Sequence, residues 1–347
     1  MITTDALLAI TLVWGFVFIY AVMATMDFGA GFWSMIYINK EKTNATNIAN
    51  RYLSPTWEVT NVFIVAIVVA LFSFFPGATF ILGTVLLIPG SIILLLLAIR
   101  SGFLVFSHYS KGYVKALTYV SGISGFIIPA ILLLVLPITH GGFIEVVNGS
   151  HQLQLDQLFT SPNAYAFSGF AITSTLFLSS LLLSDYSNAA NEPEAYKVYR
   201  RDALILGPLS LVMGFLIMLT LRTEANWLYT NMMEYLPFLI GSVAMFMIAG
   251  GALFLPSQKD KRTLGRPRIA VVAVTIQYLL ASYAYGRAHL PYMLYPDVSI
   301  QDGFTHPNTF HAVFITYIVG FSILFPGFFY FWRLFMKDKR YLKQNES

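Results

Sequence analysis

The sequence predicts an all-α integral membrane protein with nine transmembrane helices. Three observations predict it: the composition, the number of long apolar runs, and the alternation of basic and non-basic loops. Of 347 residues, 57% are hydrophobic and 11% are charged, and the mean hydropathy is +0.68. Soluble domains carry about 25% charged residues, so a chain with this little polar surface needs lipid around it. The net charge is only +4, and most basic residues sit in loops, so there is no basic face for nucleic acid. The chain has no cysteine, which excludes disulfides, thiolate zinc sites, cysteine-ligated iron–sulfur centres and thiol nucleophiles.

A helix needs about 20 apolar residues to cross the hydrocarbon core. Nine segments qualify: 6–37, 57–75, 78–108, 114–138, 163–184, 203–221, 233–255, 269–292 and 309–335. The first has no basic region before it and no small-residue cleavage site, so it is expected to be a retained span rather than a signal peptide. The runs are continuous and not alternating, which excludes a β-barrel. Pro76-Gly77 marks a tight turn between the second and third spans. Pro89-Gly90 falls within the third and is expected to bend it, because proline removes a helix hydrogen bond.

The loops orient the chain. Lys40, Lys42 and Arg51 share one side with Lys111, Lys115, Lys197, Arg200 and Arg201. Lys259, Lys261, Arg262, Arg266, Arg268, Arg333, Lys337, Lys339, Arg340 and Lys343 fall on that side too, giving 18 of the 21 basic residues. The loops 139–162 and 293–308 hold none. The positive-inside rule therefore puts the N-terminus outside and the C-terminus in the cytoplasm. Trp227, Tyr229, Tyr292 and Tyr295 fall near span boundaries, as interfacial belts do. No loop is long enough to fold alone. The chain reads as one polytopic domain: a first bundle over about 1–138, an outer loop over 139–162, and a second bundle plus last helix over 163–347.

Three basic residues lie outside the inner set. Arg222 ends the sixth span at the outer face and is expected to snorkel to water. Arg287, one turn inside the eighth span, is expected to snorkel or to pair with Glu234; its sharper alternative is contact with a surface anion or a quinone headgroup. Arg100 is deeper, about eight residues and so roughly 12 Å from the inner end of its span. Asp27 is about ten residues, roughly 15 Å, from the inner end of the first span. Glu58 opens the second span on the same side. Ions at such depth are costly unless paired or hydrated. The economical arrangement is one polar cluster of Asp27, Glu58 and Arg100, helped by Asn61 and Thr60. Such a cluster either fixes helix packing, or serves as a hydrated proton path or as an electrostatic support for a nearby cofactor. Gly29 and Gly31 follow Asp27 and permit close helix approach.

The six histidines offer no shared helix face and no carboxylate at metal-ligand spacing. His108 lies at an inner boundary. His140, His151, His289, His306 and His311 lie toward the outer side and are expected to be hydrated at the membrane surface. His289 or His311 has the chemistry of a haem axial ligand, but no ligand pair is visible. There is no phosphate-binding loop, dinucleotide fingerprint or nucleophile elbow.

Several short motifs occur in a telling order. Met26-Asp27-Phe28-Gly29-Ala30-Gly31 resembles the Asp-x-Gly-x-Gly signature of subunit II of cytochrome bd-type quinol oxidases. Ser54-Pro55-Thr56-Trp57-Glu58 resembles that family's Pro-x-Trp-acid element at the start of span two. Phe74-Phe75-Pro76, Ile99-Arg100-Ser101-Gly102-Phe103, Gly125-Phe126-Ile127-Ile128-Pro129 and Leu290-Pro291-Tyr292-Met293-Leu294-Tyr295-Pro296 also resemble family elements. The likeness covers nearly the whole chain. It departs at Ala24, where many members are acidic, and at Val59-Thr60-Asn61-Val62-Phe63, so the chain resembles a divergent branch.

The resemblance implies a smaller subunit in a heterodimeric, electrogenic terminal oxidase of the bacterial cytoplasmic membrane. That complex oxidises membrane quinol and reduces oxygen to water. The larger subunit I would ligate haem b, with or without haem d, and this chain would ligate none. Some members hold a structural quinone here, and a small third subunit is left open. The implied fold is nine helices built largely from two four-helix bundles. Asp27, Glu58, Arg100, Asn61 and Trp57 become the polar or proton-path candidates. Two other classes compete. A proton-coupled secondary transporter would use the same charges but should show repeats and matched helix breaks; only the break at Pro89-Gly90 is evident. A purely structural assembly subunit would use them for packing alone.

Overall fold

Every long apolar segment is helical in the computed structural model, which describes residues 2–107, 114–256 and 264–337. Within these ranges side chains are described except at 41, 52–59, 104, 106–107, 114, 331–332 and 334–337. The long helices are α1 (Thr4–Tyr37), α2 (Ala45–Phe74), the pair α3 (Pro76–Val85) and α4 (Leu87–Ser107), and α5 (Val114–Leu133) continued by α6 (Val135–Thr139). A hairpin, β1 (Ile144–Val147) and β2 (Ser150–Leu153), and the short α7 (Leu155–Thr160) lead to α8 (Pro162–Ala190) and α9 (Pro193–Glu224). There follow α10 (Asn226–Glu234), α11 (Leu236–Ala252), α12 (Pro267–His289), the ribbon β3 (Tyr292–Leu294) and β4 (Val298–Ser299), α13 (Ile300–Gly303) and α14 (Pro307–Lys337).

Local chemistry sets the ends. Thr3 caps α1, its hydroxyl accepting from the Ala6 amide, and Asp5 sits in the first turn, where a negative charge suits the helix dipole. Ser161 caps α8 ahead of Pro162 in the same way. Asn191 closes α8 in the left-handed conformation, with φ 60°, a backbone state asparagine tolerates, and Pro193 then starts α9. Between β1 and β2 Asn148 and Gly149 both have positive φ, the turn that joins a two-residue hairpin. Leu290-Pro291 and Tyr295-Pro296 are cis.

Among the described residues six helices are long and apolar enough to cross a membrane, and eight if each of two bent pairs counts as one span. The described apolar part of α2, Thr60–Phe74, is shorter than a full span. The bend expected at Pro89 lies instead at Leu86, where α3 and α4 meet at 82°. Proline three residues into α4 is tolerated, because amides in the first turn have no intrahelical partner. The seventh segment is likewise not one helix: α10 and α11 meet at 79° around Tyr235, with Pro237 in the first turn of α11. The expectation of a single broken span is therefore corrected to two.

Helix α1 is the central element. Its C-terminal half packs through Trp33 and Tyr37 into a core shared with α8, α9, α11 and α12. Its N-terminal half packs through Val13, Phe16 and Tyr20 against α2, α4, α5 and α14. The most apolar stretch of α8 is largely buried, whereas that of α14 buries none of its residues within the chain. A face of that kind is covered in the membrane by lipid or by another subunit.

Candidate functional site

Helices α1 and α4, each packed against α5, bring the deepest predicted charges together. Asp27 on α1 is 6% exposed and Arg100 on α4 is 2% exposed. Arg100 Nη2 lies 3.3 Å from Asp27 Oδ1 and donates to the Asp27 carbonyl at 2.7 Å. Its Nη1 donates to the Ser121 carbonyl at 2.5 Å and to Ser121 Oγ at 3.0 Å. The guanidinium also lies over the Phe28 ring, 5.4 Å from its centroid. Its Nε is buried with no partner among the described residues.

Glycine makes this possible. Both accepting carbonyls, of Asp27 and Ser121, sit in helices four residues before a glycine, Gly31 and Gly125. In a helix a carbonyl points toward residue i+4, so a bare residue there leaves its second lone pair open. A Cβ at Gly31 would stand 2.9 Å from Arg100 Nη1 and 3.0 Å from Nη2, and one at Gly125 would stand 3.2 Å from Nη1. Gly29 does the same for packing: a Cβ there would overlap Ser179 on α8. Ser179 Oγ instead receives the Trp33 indole N–H at 3.0 Å.

Of the other candidates, Thr60 is buried. Asn61 is half-buried and is not drawn into contact with Asp27 or Arg100 among the described residues. The side chains of Glu58 and Trp57 lie outside the described residues, as do His108, Lys111, Lys259, Lys261, Arg262, Lys339, Arg340 and Lys343.

The outer histidines differ from expectation. His140 is 3% exposed and bonds Tyr285 through Nε2. Its carbonyl accepts the Trp227 indole N–H at 3.1 Å. His289 lies 5.8 Å away, ring to ring, with Nδ1 on the Tyr292 carbonyl at 2.9 Å. Phe167, Tyr285 and Trp227 pack against the two rings. These two are therefore core histidines rather than hydrated surface groups. Burial, aided by the neighbouring His289, holds His140 well below the usual histidine pKa. His151 pairs with Asp297 and His311 with Asp5, each at 3.4 Å, and His306 is exposed. Arg287 stacks over the Tyr235 ring at 5.9 Å and not on Glu234. Among the described residues no group of three or more His, Asp or Glu side chains could hold a metal ion.

A family profile described as cytochrome bd terminal oxidase subunit II matches residues 6–335. The chain belongs to the cytochrome bd terminal oxidase subunit II family. It is 69% identical over 345 residues to a Bacillus subtilis (strain 168) protein provisionally named cytochrome bd menaquinol oxidase subunit II, covering 99% of each chain. It also matches a chain in the solved structure of the bd oxidase from Geobacillus thermodenitrificans, with TM-score 0.82 and 35% identity. That match covers 97% of this chain and 100% of the other. This subunit II is thus part of a respiratory terminal quinol oxidase, a haem-containing bacterial membrane complex in which it partners subunit I.

Subunit II holds a second buried polar group that hydropathy did not single out. Tyr37 at the end of α1 donates to Asp202 of α9. Arg201 reaches the same carboxylate at 2.9 Å and the Tyr37 hydroxyl at 3.1 Å. Tyr199 donates to the Ala45 carbonyl at 2.7 Å. The group ties the C-terminal end of α1 to the N-terminal ends of α2 and α9. Its only trace in sequence is an acidic residue, Asp202, at the start of an apolar run.

Proposed function

We propose that this chain is the smaller subunit of the oxidase, crossing the membrane nine times with its N-terminus outside and its C-terminus in the cytoplasm. The two bundles are assigned to about 1–138 and 163–347. The haems are assigned to subunit I, where they supply electron transfer and oxygen binding. Support comes from the two buried imidazoles of this chain, His140 and His289, which are packed among Phe167, Tyr285 and Trp227; that surround does not fit a porphyrin. The quinol is proposed to be menaquinol, on the strength of the Bacillus subtilis relative's name.

Within this reading Asp27, Glu58 and Arg100, with Asn61 and Trp57, form an inner-half polar path. The observation that carries it is the Asp27–Arg100 pair, buried where an unpartnered charge costs about 2.5–3.5 kcal/mol on insertion scales. Reduction of oxygen consumes protons, so groups able to exchange them at the cytoplasmic side are needed. Glu58 can change protonation state and is the relay. Arg100 cannot deprotonate; its charge favours the ionised form of Asp27 and orients water, and its Nε, without a partner among the described residues, is a donor for a water or carboxylate.

The test is Glu58→Gln in the assembled complex. Quinol-oxidase turnover should fall by about 10²-fold, the usual scale for losing one proton-transfer group, with haem content unchanged. Full activity across pH would leave a packing role only.

A further inference from the structure

A groove of about 580 Å³ runs along the far ends of α9, α10 and α11. It lies beside α9 where α10 and α11 meet at 79°. Phe215 and Leu219 of α9 and Leu236, Ile240 and Val243 of α11 line it, and all five are exposed. Arg222, near the C-terminal end of α9, is its charged lining residue, and Tyr229 of α10 lines it too.

Arg222 is exposed and makes no ion pair or hydrogen bond among the described residues. The nearest carboxylate in sequence, Glu224, is turned away. It accepts from Ser161 Oγ at 2.5 Å and from the Asn163 amide at 3.1 Å, closing the start of α8. A guanidinium left bare at the edge of an apolar groove calls for an anion, and its forked donors match a phosphate. An apolar channel leading away from that point calls for a hydrocarbon chain.

We propose that this groove binds one phospholipid of the outer leaflet, with its phosphodiester on Arg222 and an acyl chain along the α9–α11 wall. A quinone fits less well. Its headgroup is neutral with acceptors at both edges, whereas the groove offers one cationic end. The proposed orientation enters only in naming the leaflet; the experiment reads occupancy, which does not depend on it.

The test is native mass spectrometry of the purified two-subunit complex, after partial delipidation and titration with phosphatidylglycerol in mild detergent. The native complex should retain one tightly held phospholipid. Arg222→Gln should weaken retention by at least about tenfold (about 1.4 kcal/mol). Arg222→Lys should restore most of it. Ala244→Trp, which fills the groove and keeps the arginine, should weaken it as Arg222→Gln does. The haem spectrum confirms that each variant is assembled. Equal retention in the native protein and Arg222→Gln would overturn the proposal. So would a bound quinone in place of phospholipid, or a cross-link from position 222 to subunit I showing that protein covers the groove.

Discussion

Replacing Arg100 by leucine removes four hydrogen bonds in one step: two to Ser121 and two to Asp27. They do not count equally. The carbonyls of Asp27 and Ser121 lie within helices and keep their helical donors, and that of Ser121 also keeps Ser124 Oγ at 3.1 Å, so each loses only an added bond. The Asp27 carboxylate is different. Its side chain is 9% exposed, and Arg100 is its ion-pair partner. Stranding one member of a buried pair costs about 3–5 kcal/mol, a large share of the roughly 5–15 kcal/mol that holds a typical fold. Arg100→Leu should therefore lower the amount of assembled complex and its melting temperature in purified form, followed by haem absorbance. The control is Arg100→Leu combined with Asp27→Asn. The double variant carries no buried charge, so it should regain at least about 1 kcal/mol over the single one, the sign of coupling expected for contacting residues. An Arg100→Leu protein within about 0.5 kcal/mol of native, or a double variant whose loss is the plain sum of the two singles, would refute the reasoning.

Two further outcomes follow from packing and burial. Gly29→Ala should destabilise by about 1–3 kcal/mol, the usual cost of overpacking, because its Cβ would overlap Ser179. Ser179→Gly in the same chain should recover part of that in a thermal melt; no recovery would place the clash elsewhere. His140 is buried among Phe167, Tyr285 and His289 with its pKa lowered. The unfolded chain therefore takes up its proton first. The stabilising effect of a neutral His140 is fully present above about pH 6.5 and is lost as pH falls from there toward the lowered value, at up to about 1.4 kcal/mol per pH unit. His140→Gln should show a shallower loss of stability between pH 7 and 5; parallel slopes in the two proteins would contradict a buried neutral imidazole.

Much of the helix content was legible because hydrophobic runs of this length have few other outcomes. The first span was expected over 6–37 and α1 runs Thr4–Tyr37. Where charge enters a helix, the hydropathy signal stops before the helix does. The sixth span was expected over 203–221, yet α9 begins at Pro193, and its first turns carry Glu194, Lys197, Arg200, Arg201 and Asp202. The helix breaks were legible by a rule applied in the wrong place. Pro89 and Pro237 each lie in the first turn of a helix, where proline is comfortable, so each marks a start, with the bend before it. The Asn148-Gly149 turn was equally readable from its residue types. The histidines were not. What buries His140 is Tyr285, 145 positions away, and no local pattern reports a contact at that separation.

The Asp27–Arg100 site shows the same division and adds a physical reason for it. Depth alone argued for a partner, since a lone arginine some 12 Å into its span is expensive. What depth could not supply was the rest of the shell, and most of that shell is main chain. A guanidinium has five donors, and Asp27 Oδ1 accepts at 3.3 Å, longer than the two carbonyl contacts at 2.7 and 2.5 Å. Backbone carbonyls carry no sequence identity, so the helices must signal their availability otherwise. They do so through what is missing four residues later: Gly31 after Asp27, and Gly125 after Ser121. Read singly, each glycine is an ordinary packing residue. Read together with a buried arginine on a third helix, the two glycines mark the carbonyls left open for it. The same pair of bare positions explains why the site tolerates a charge with one carboxylate, because the carbonyl dipoles do part of the work that a second acid would otherwise have to do.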